Sequence, residues 1–145
     1  MEERFLLFSA AGAGFAFNLQ EVSEVMEPQA SFPIPHAPGH FLGLINFHGT
    51  LTALVDLGVY LGRGDRRTPG KVLVLDTRSA SLALTVDAVR AIVTREAITG
   101  DSPGDDPLTA ALLETAYGTM RLLRVEALLS GLEQELRPSE PPRLP

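Results

Sequence analysis

The stretch GLINFHGTLTALVDL, residues 43–57, predicts two β-strands joined by a tight turn. Apolar residues lie on both sides of His48-Gly49, and a glycine at this place is typical of a turn between strands. The same stretch holds a histidine, an aspartate and two threonines, which are also residue types of catalytic sites. The first question is therefore whether His48 takes part in chemistry or only shapes a surface.

The pattern of this stretch recurs in the second half of the chain. Residues 49–62 align without gaps on residues 118–131, and a glycine stands at both ends of each segment. Upstream, FAFNL at 15–19 aligns with LALTV at 82–86. The two alignments are offset by 69 and 67 residues, and this self-similarity predicts an internal duplication into two similar β-units.

The elements next to these strands follow from periodicity and turn residues. Residues 5–8 and 15–19 flank an Ala-Gly-Ala-Gly turn and are predicted to form a hairpin. LQEVSEVM, residues 19–26, has apolar residues at helical spacing, so we expect one or two turns of amphipathic helix there and at residues 86–93.

The end of the chain predicts one further helix. Residues 125–132 carry valine and leucine at helical spacing, which indicates a C-terminal helix. The last nine residues, RPSEPPRLP at 137–145, hold four prolines and are expected to be a disordered tail.

The composition excludes several classes of protein. The chain has 145 residues, of which 45% are hydrophobic, and this suits one compact domain or two very small ones that share a core. The net charge is −6 and there is no basic cluster, so no nucleic-acid partner is expected. Because the chain has no cysteine, it has neither a disulfide framework nor a thiolate metal site.

Two apolar runs have some features of membrane-directed segments. Residues 5–17 have the composition of a signal-peptide core, but glycines interrupt them and the residues before them are mainly acidic. Residues 41–55 are shorter than the ~20 apolar residues that a membrane helix needs. We therefore expect a cytoplasmic protein with no direct membrane insertion.

The candidate metal-binding and phosphate-binding motifs do not have the residue spacing that such sites need. His36 and His40 are four residues apart, but Pro38-Gly39 would break a helix between them, so both are expected to be surface loop residues. GDSPGDD at 100–106 lacks the ligand pattern of a calcium loop. GDRRTPGK at 64–71 lacks the spacing and the following helix of a phosphate-binding loop.

A catalytic interpretation rests on two residues. His48 and Asp56 could act as a base and the group that orients it. They are eight residues apart along one predicted strand, which is about 26 Å if the chain is extended. With no candidate nucleophile and no cofactor site, we expect that the protein is not an enzyme. The alternative is a small hydrolase or ligand-binding β-barrel that uses His48 and Asp56.

The two predicted helical turns form a candidate partner surface. A short turn at the junction of two β-units cannot bury every apolar side chain, so some could line a groove for a partner helix. Leu19, Val86 and Ile92 are expected in the core. At least one of the four candidate groove residues is expected to be exposed; these are Val22, Val25, Val86 and Val89.

Three stretches together resemble the CheW-type chemotaxis adaptor family over residues 5–133. They are FLLFSAAGAGFAFNLQEVSEVM, IPHAPGHFLGLINFHGTLTALVDL and VLVLDTRSASLALTVDAVRAIV. The specific part is an order of a proline-containing segment, a hydrophobic residue with glycine, Asn-Leu-Arg-Gly, and a strand that ends in Asp-Leu. Here it reads Pro38-Gly39, Leu42-Gly43, Asn46-Phe47-His48-Gly49 and Asp56-Leu57.

The resemblance implies a mainly β fold. Two small five-stranded SH3-like β-barrels would pack on a shared core, with short connecting helices and a C-terminal helix. The domain would span residues 1–136, with one subdomain near 15–67 and the other near 68–133 together with a strand at 4–10.

The resemblance also implies a function without enzymatic activity or a cofactor. Proteins of this family couple membrane chemoreceptors to a histidine kinase of a two-component system. One barrel contacts the regulatory domain of the kinase, and a groove between the barrels holds the cytoplasmic tip of the receptor. We therefore expect a scaffold protein of the cytoplasm that is recruited to receptor arrays, with Val22, Val25, Val86 and Val89 in the receptor groove.

One departure from the family concerns the opening question. In the family, the arginine of Asn-Leu-Arg-Gly faces a glutamate near the partner surface, and these positions correspond to His48 and Glu24. Histidine is shorter than arginine and only partly charged at neutral pH. The residues expected at the kinase-facing or turn surface are Glu24, Phe32, Ile34, Asn46 and His48.

Overall fold

The structure, a computed structural model, describes residues 2–63, 70–76 and 81–136. The predicted disordered tail at 137–145 and most of the GDRRTPGK segment lie outside the described residues.

Eleven strands and two helices make up the described part of the chain. The strands are β1 Arg4–Ala10, β2 Ala13–Asn18, β3 Val22–Met26, β4 Phe41–Phe47, β5 Thr50–Asp56, β6 Lys71–Asp76, β7 Ser81–Val86, β8 Ala88–Thr94, β9 Gly100–Pro103, β10 Thr109–Thr115 and β11 Gly118–Leu123. The helices are α1 Leu57–Tyr60 and α2 Val125–Leu136, and 3-10 turns lie at Leu19–Glu21 and Arg95–Ala97.

The strands form two sheets, so the predicted mainly β architecture is confirmed. One sheet has five strands in the order β3-β6-β7-β5-β4. The other has six in the order β8-β1-β2-β11-β10-β9, where the sixth is the short strand β9. Neighbouring strands are antiparallel except for β5 beside β7 and β2 beside β11.

The two halves of the chain exchange hairpins. The β1–β2 hairpin of the first half pairs with β8 and β11 of the second, and the β6–β7 hairpin of the second half pairs with β3 and β5 of the first. The predicted subdomain ranges, near 15–67 and 68–133, therefore need correction. They misplace β2, β6 and β7, because both strands of a hairpin go to the same sheet.

The strand pairings made by the two exchanged hairpins are equivalent under the internal duplication. The pairing of β1 with β8 has the same register as the pairing of β6 with β3 when residues are shifted by 67 positions. The irregularity in each pairing falls at the same place, just after the matched valines, Val89 of β8 and Val22 of β3. The matching cross-strand pairs are Phe5–Val93 with Val72–Met26, and Phe8–Val89 with Leu75–Val22.

The helical prediction for residues 19–26 and 86–93 is wrong beyond one 3-10 turn. Residues 22–26 and 88–94 are the edge strands β3 and β8. Valines three residues apart suggested a helix, but each strand contains a register irregularity that adds a residue and imitates this spacing. β-branched residues fit a pleated sheet well, and the cross-strand pairing decides the outcome.

The main hydrophobic core lies between the two sheets. Its buried side chains come from both sheets and from α2, where Leu128, Leu129 and Leu132 pack against it, so the predicted C-terminal helix is confirmed. The Phe8 ring stacks on Phe15 and Phe17 at 5.8 and 5.2 Å between centroids. Two smaller clusters cover the opposite faces of the sheets. Central strands such as β1 are therefore buried on both faces.

Candidate partner-binding surfaces

The turn between β4 and β5 is built from His48 and Gly49, which both have positive φ angles of 49° and 85°. Two positive φ angles are typical of the type I′ turn, whose twist suits a hairpin of two residues. The Asn46 side-chain oxygen accepts a hydrogen bond from the Gly49 N–H at 2.8 Å. Asn46 therefore holds the turn, and the His48 side chain projects into solvent.

His48 and Glu24 face one another, as the resemblance implied. The His48 Nε2 atom lies 3.3 Å from Glu24 Oε2, and the His48 side chain is 75% exposed. The contact joins the β4–β5 turn to β3, which is the opposite edge of the same sheet. Ser23, Phe47, Thr50 and Ser81 complete the lining of an open groove of about 530 Å³ at this place.

Exposed apolar side chains lie beside β4 and near the turn end of the β4–β5 hairpin. Phe32 pairs with Leu44 through two backbone hydrogen bonds and adds to the edge of β4. Phe32 is 69% exposed and Leu51 is 64% exposed. Leu51 pairs with Asn46, and Ala53 with Leu44, so these side chains share one face of the sheet.

Two outcomes on this surface differ from the expected residue set. Ile34 is half-buried and packs against the main core, so the structure does not place it with these exposed side chains. Leu51 was not among the predicted site residues, although it is one of the most exposed large apolar residues in the described chain. Alternation along β5 shows that Leu51 and Thr52 point to opposite faces of the sheet. It does not show which of the two faces is buried, so alternation alone could not identify Leu51.

The predicted groove residues lie on edge strands β3 and β8. Val22 and Val89 are equivalent by the duplication, and both are half-buried against the core between the sheets. Val25 on β3 and its counterpart Ile92 on β8 are exposed. The two edge strands therefore present the same pattern, with one valine at the core and one exposed apolar residue each.

Two expectations for this region need correction. Val86 is only 2% exposed, because it ends the central strand β7 and packs in the main core, so it cannot line a groove. Ile92 was expected in the core but is exposed, because it lies on the edge strand β8, which has a neighbouring strand on one side only.

The catalytic alternative is not supported by the geometry. Asp56 lies at the far end of β5 from the turn, about 20 Å from His48 at ~3.3 Å per residue. Its Oδ1 atom accepts the Val59 N–H at 3.1 Å and caps α1. The structure therefore does not bring Asp56 and His48 together.

The other two histidines of the chain are His36 and His40. His36 is exposed and has a positive φ of 61°. His40 was expected on the surface, but its side chain is largely buried beside the Tyr60 ring and hydrogen-bonds to Glu135 of α2. Among residues 2–63, 70–76 and 81–136, no group of three or more histidine, aspartate or glutamate residues could hold a metal ion.

Within the same described ranges, neither helix is long and apolar enough to cross a bilayer.

Comparison with known proteins identifies the family to which this chain is similar. The CheW-like domain family matches residues 4–133. The probable chemotaxis protein CheW of Rhizobium etli is 26% identical over an alignment of 145 residues that covers 92% of this chain and 92% of that protein. The chemotaxis protein CheW of Rhizobium meliloti is 31% identical over 91 residues, which are 61% of this chain and 59% of that protein.

The fold is also that of a solved structure. The crystal structure of the scaffolding protein TtCheW from Thermoanaerobacter tengcongensis matches with a TM-score of 0.75 at 21% identity, over 86% of this chain and 90% of that chain. The likeness confirms the expectation of paired SH3-like barrels. Since the family match spans nearly the whole length, the chain belongs to the CheW-like domain family.

Proposed function

We propose that the protein is a non-enzymatic adaptor of bacterial chemosensory signalling. It couples chemoreceptors to a CheA-type histidine kinase through protein–protein contacts, and it acts in the cytoplasm at membrane receptor arrays. The observation that carries this proposal is the exposed Glu24–His48 contact in a chain of the CheW-like family. The relatives from both Rhizobium species are named as chemotaxis proteins, which agrees with it.

The five-stranded sheet supplies the kinase contact in this proposal. Phe32 and Leu51 provide large exposed apolar side chains, and His48 and Glu24 provide a polar edge. Apolar anchors beside a polar rim are the usual anatomy of a protein–protein interface. We infer that the regulatory domain of the kinase covers these exposed residues of the β4–β5 hairpin and of the segment beside β4.

The two edge strands β3 and β8 supply the receptor contact. Val25 and Ile92 are exposed, and Val22 and Val89 extend the apolar surface toward the core. Helix-in-groove binding needs exposed apolar side chains, and a few central residues usually carry most of the energy. We infer that the helical tip of the receptor packs against the exposed residues of these two edge strands.

Two substitutions that introduce a charge test the assignment of the kinase and receptor surfaces. Each variant serves as the control for the other. Leu51→Glu should weaken binding of the kinase regulatory domain by about thirtyfold, the effect of a hot-spot loss of ~2 kcal/mol, and leave receptor-tip binding unchanged. Ile92→Glu should do the reverse. Both residues are exposed, so the melting temperature should be preserved. Calorimetric titration of each variant with both partners gives the four affinities.

The same titrations can contradict the proposal. If wild-type protein binds neither partner, the adaptor function is wrong. If it binds both and neither variant loses affinity, the function stands but the two surfaces are wrongly placed.

A further inference from the structure

A cleft of about 510 Å³ lies between the end of α1 and the loop before β10. Its apolar lining includes Leu61, Leu108 and Leu123, which also contact the main core. Clefts of this size at the junction of two packed units are common places for small ligands. The cleft is separate from the residues assigned above to kinase and receptor.

Backbone hydrogen bonds fix the position of Arg63, one of the two arginines at this cleft. Gly62, with a φ of 71°, ends α1, and its N–H donates to the Val59 carbonyl at 3.0 Å. The Arg63 N–H donates to the Gly58 carbonyl at 2.9 Å. These two bonds form a Schellman motif, which fixes the start of the Arg63 side chain. The guanidinium carbon lies 5.7 Å from the centre of the buried Phe15 ring.

The other charges of the cleft are already paired. Arg121 hydrogen-bonds to Asp105 at 2.5 Å and to Asp106 at 3.2 Å. Asp106 also accepts the Leu108 N–H at 2.8 Å and the Thr109 hydroxyl at 3.0 Å. In the part of the chain that the structure describes, the Arg63 side chain has a ring contact but no carboxylate partner. The lining thus carries two guanidinium groups and one carboxylate, in a protein whose net charge is −6.

We propose that this cleft binds a small organic acid with an apolar body. The carboxylate pairs with Arg63, whose guanidinium has five donors and suits a carboxylate. The apolar body contacts Leu61, Leu108 and Leu123. This site adds a small-molecule ligand to a protein whose proposed function needs only protein partners, and it stands independently of that function.

Titration with phenylacetate, followed by amide chemical shifts in NMR spectra, tests the proposal. Phenylacetamide is the matched probe, because it keeps the ring and lacks the charge. In the wild-type protein, phenylacetate should bind saturably and shift amides near Leu61, Leu108 and Leu123. Arg63→Gln should weaken this binding roughly tenfold, as expected for loss of a charge-assisted hydrogen bond. Arg90→Gln, which removes an exposed arginine of β8, should bind like the wild type.

Three outcomes would overturn the proposal. They are no saturable binding of phenylacetate, equal affinity for phenylacetamide, and an Arg63→Gln variant that binds as tightly as the wild type. Since Arg63 is exposed, the variant should keep the wild-type melting temperature, and a failure to bind then reports on the site.

Discussion

His48 occupies a left-handed backbone conformation that is uncommon for residues other than glycine, although asparagine, aspartate and histidine adopt it more often than the rest. Two properties of this residue therefore matter separately: the fit of its backbone to the turn, and the contact of its ring with Glu24. The ring contact is solvent-exposed, so it contributes little to the free energy of unfolding. Its proposed value lies in the shape and charge of the surface that it offers to a partner.

His48→Arg tests the charge. Arginine stays charged and can bond to Glu24 through two nitrogens, so we expect a normally folded protein that binds the kinase regulatory domain a few-fold more tightly. Titration calorimetry measures the affinity. His48→Asn is the matched control, because asparagine before glycine suits the turn but lacks the cation. It should raise the melting temperature and weaken binding. Unchanged affinity in both variants would remove position 48 from the interface.

Glu21 is a second residue whose surroundings predict a measurable effect. Burial raises the pKa of this carboxyl, and the nearby Glu126 carboxylate raises it further. A raised carboxylate pKa means that ionisation costs stability in the folded state, so the penalty is absent below the ordinary value of 4.5 and appears as the pH rises.

Glu21→Gln should therefore stabilise the protein at pH 7 and have no effect in acid. Because Glu21 is partly exposed, the gain should be below ~1 kcal/mol. Urea denaturation of both proteins as a function of pH measures it. Glu133→Gln removes an exposed carboxylate of α2 and serves as the control. A Glu21→Gln variant that is less stable at neutral pH would contradict this account.

At the scale of the element, a small cluster holds the end of α2 against α1 and the residue before β4. His40 hydrogen-bonds to Glu135, and its ring centroid lies 5.0 Å from that of Tyr60. The Tyr60 hydroxyl points at Gly131, where an added Cβ atom would come within 2.5 Å of the oxygen. Glycine in a helix costs about 1 kcal/mol relative to alanine, and here it makes room for a tyrosine.

A double-mutant cycle measures this contact. Gly131→Ala alone should change stability little, because better helix propensity offsets the clash with Tyr60. In a Tyr60→Phe background the clash is gone, and the same substitution should stabilise by up to ~1 kcal/mol. Thermal and urea denaturation of the four proteins give the coupling. Equal effects of Gly131→Ala in both backgrounds would show that the hydroxyl does not limit this position.

At the scale of the whole molecule, the exchanged hairpins make the two halves depend on each other. Each sheet takes a hairpin from the other half, and the main core lies between the sheets. Neither half contains a complete sheet. The duplication therefore produced two repeats in sequence that are not two independent folding units.

Separate fragments test this dependence. Residues 1–67 and 68–145 should each lack a cooperative unfolding transition, because their hairpins lose the β1–β8 and β3–β6 pairings. Mixed together, they should recover the circular dichroism of the intact chain. A mixture of residues 68–145 with a 1–67 fragment that carries Val55→Asp, which puts a charge in the buried core, is the control and should stay unfolded. Cooperative unfolding of either fragment alone would contradict the exchange.

The sequence by itself determined the β-class, the duplication, the β4–β5 turn and the C-terminal helix. These depend on local periodicity and on turn residues such as His48-Gly49, so neighbouring residues suffice to predict them. The family motif also brought Glu24 and His48 together, although they are far apart in sequence.

Only the tertiary structure decided which strands share a sheet and which apolar residues are exposed. Val25 and Ile92 have the same residue types as core positions, yet they lie on edge strands and face solvent. Thr52 is buried while the neighbouring Leu51 is exposed. Alternation along a strand separates two faces, but long-range pairing determines which face meets the core, and no local pattern contains that information.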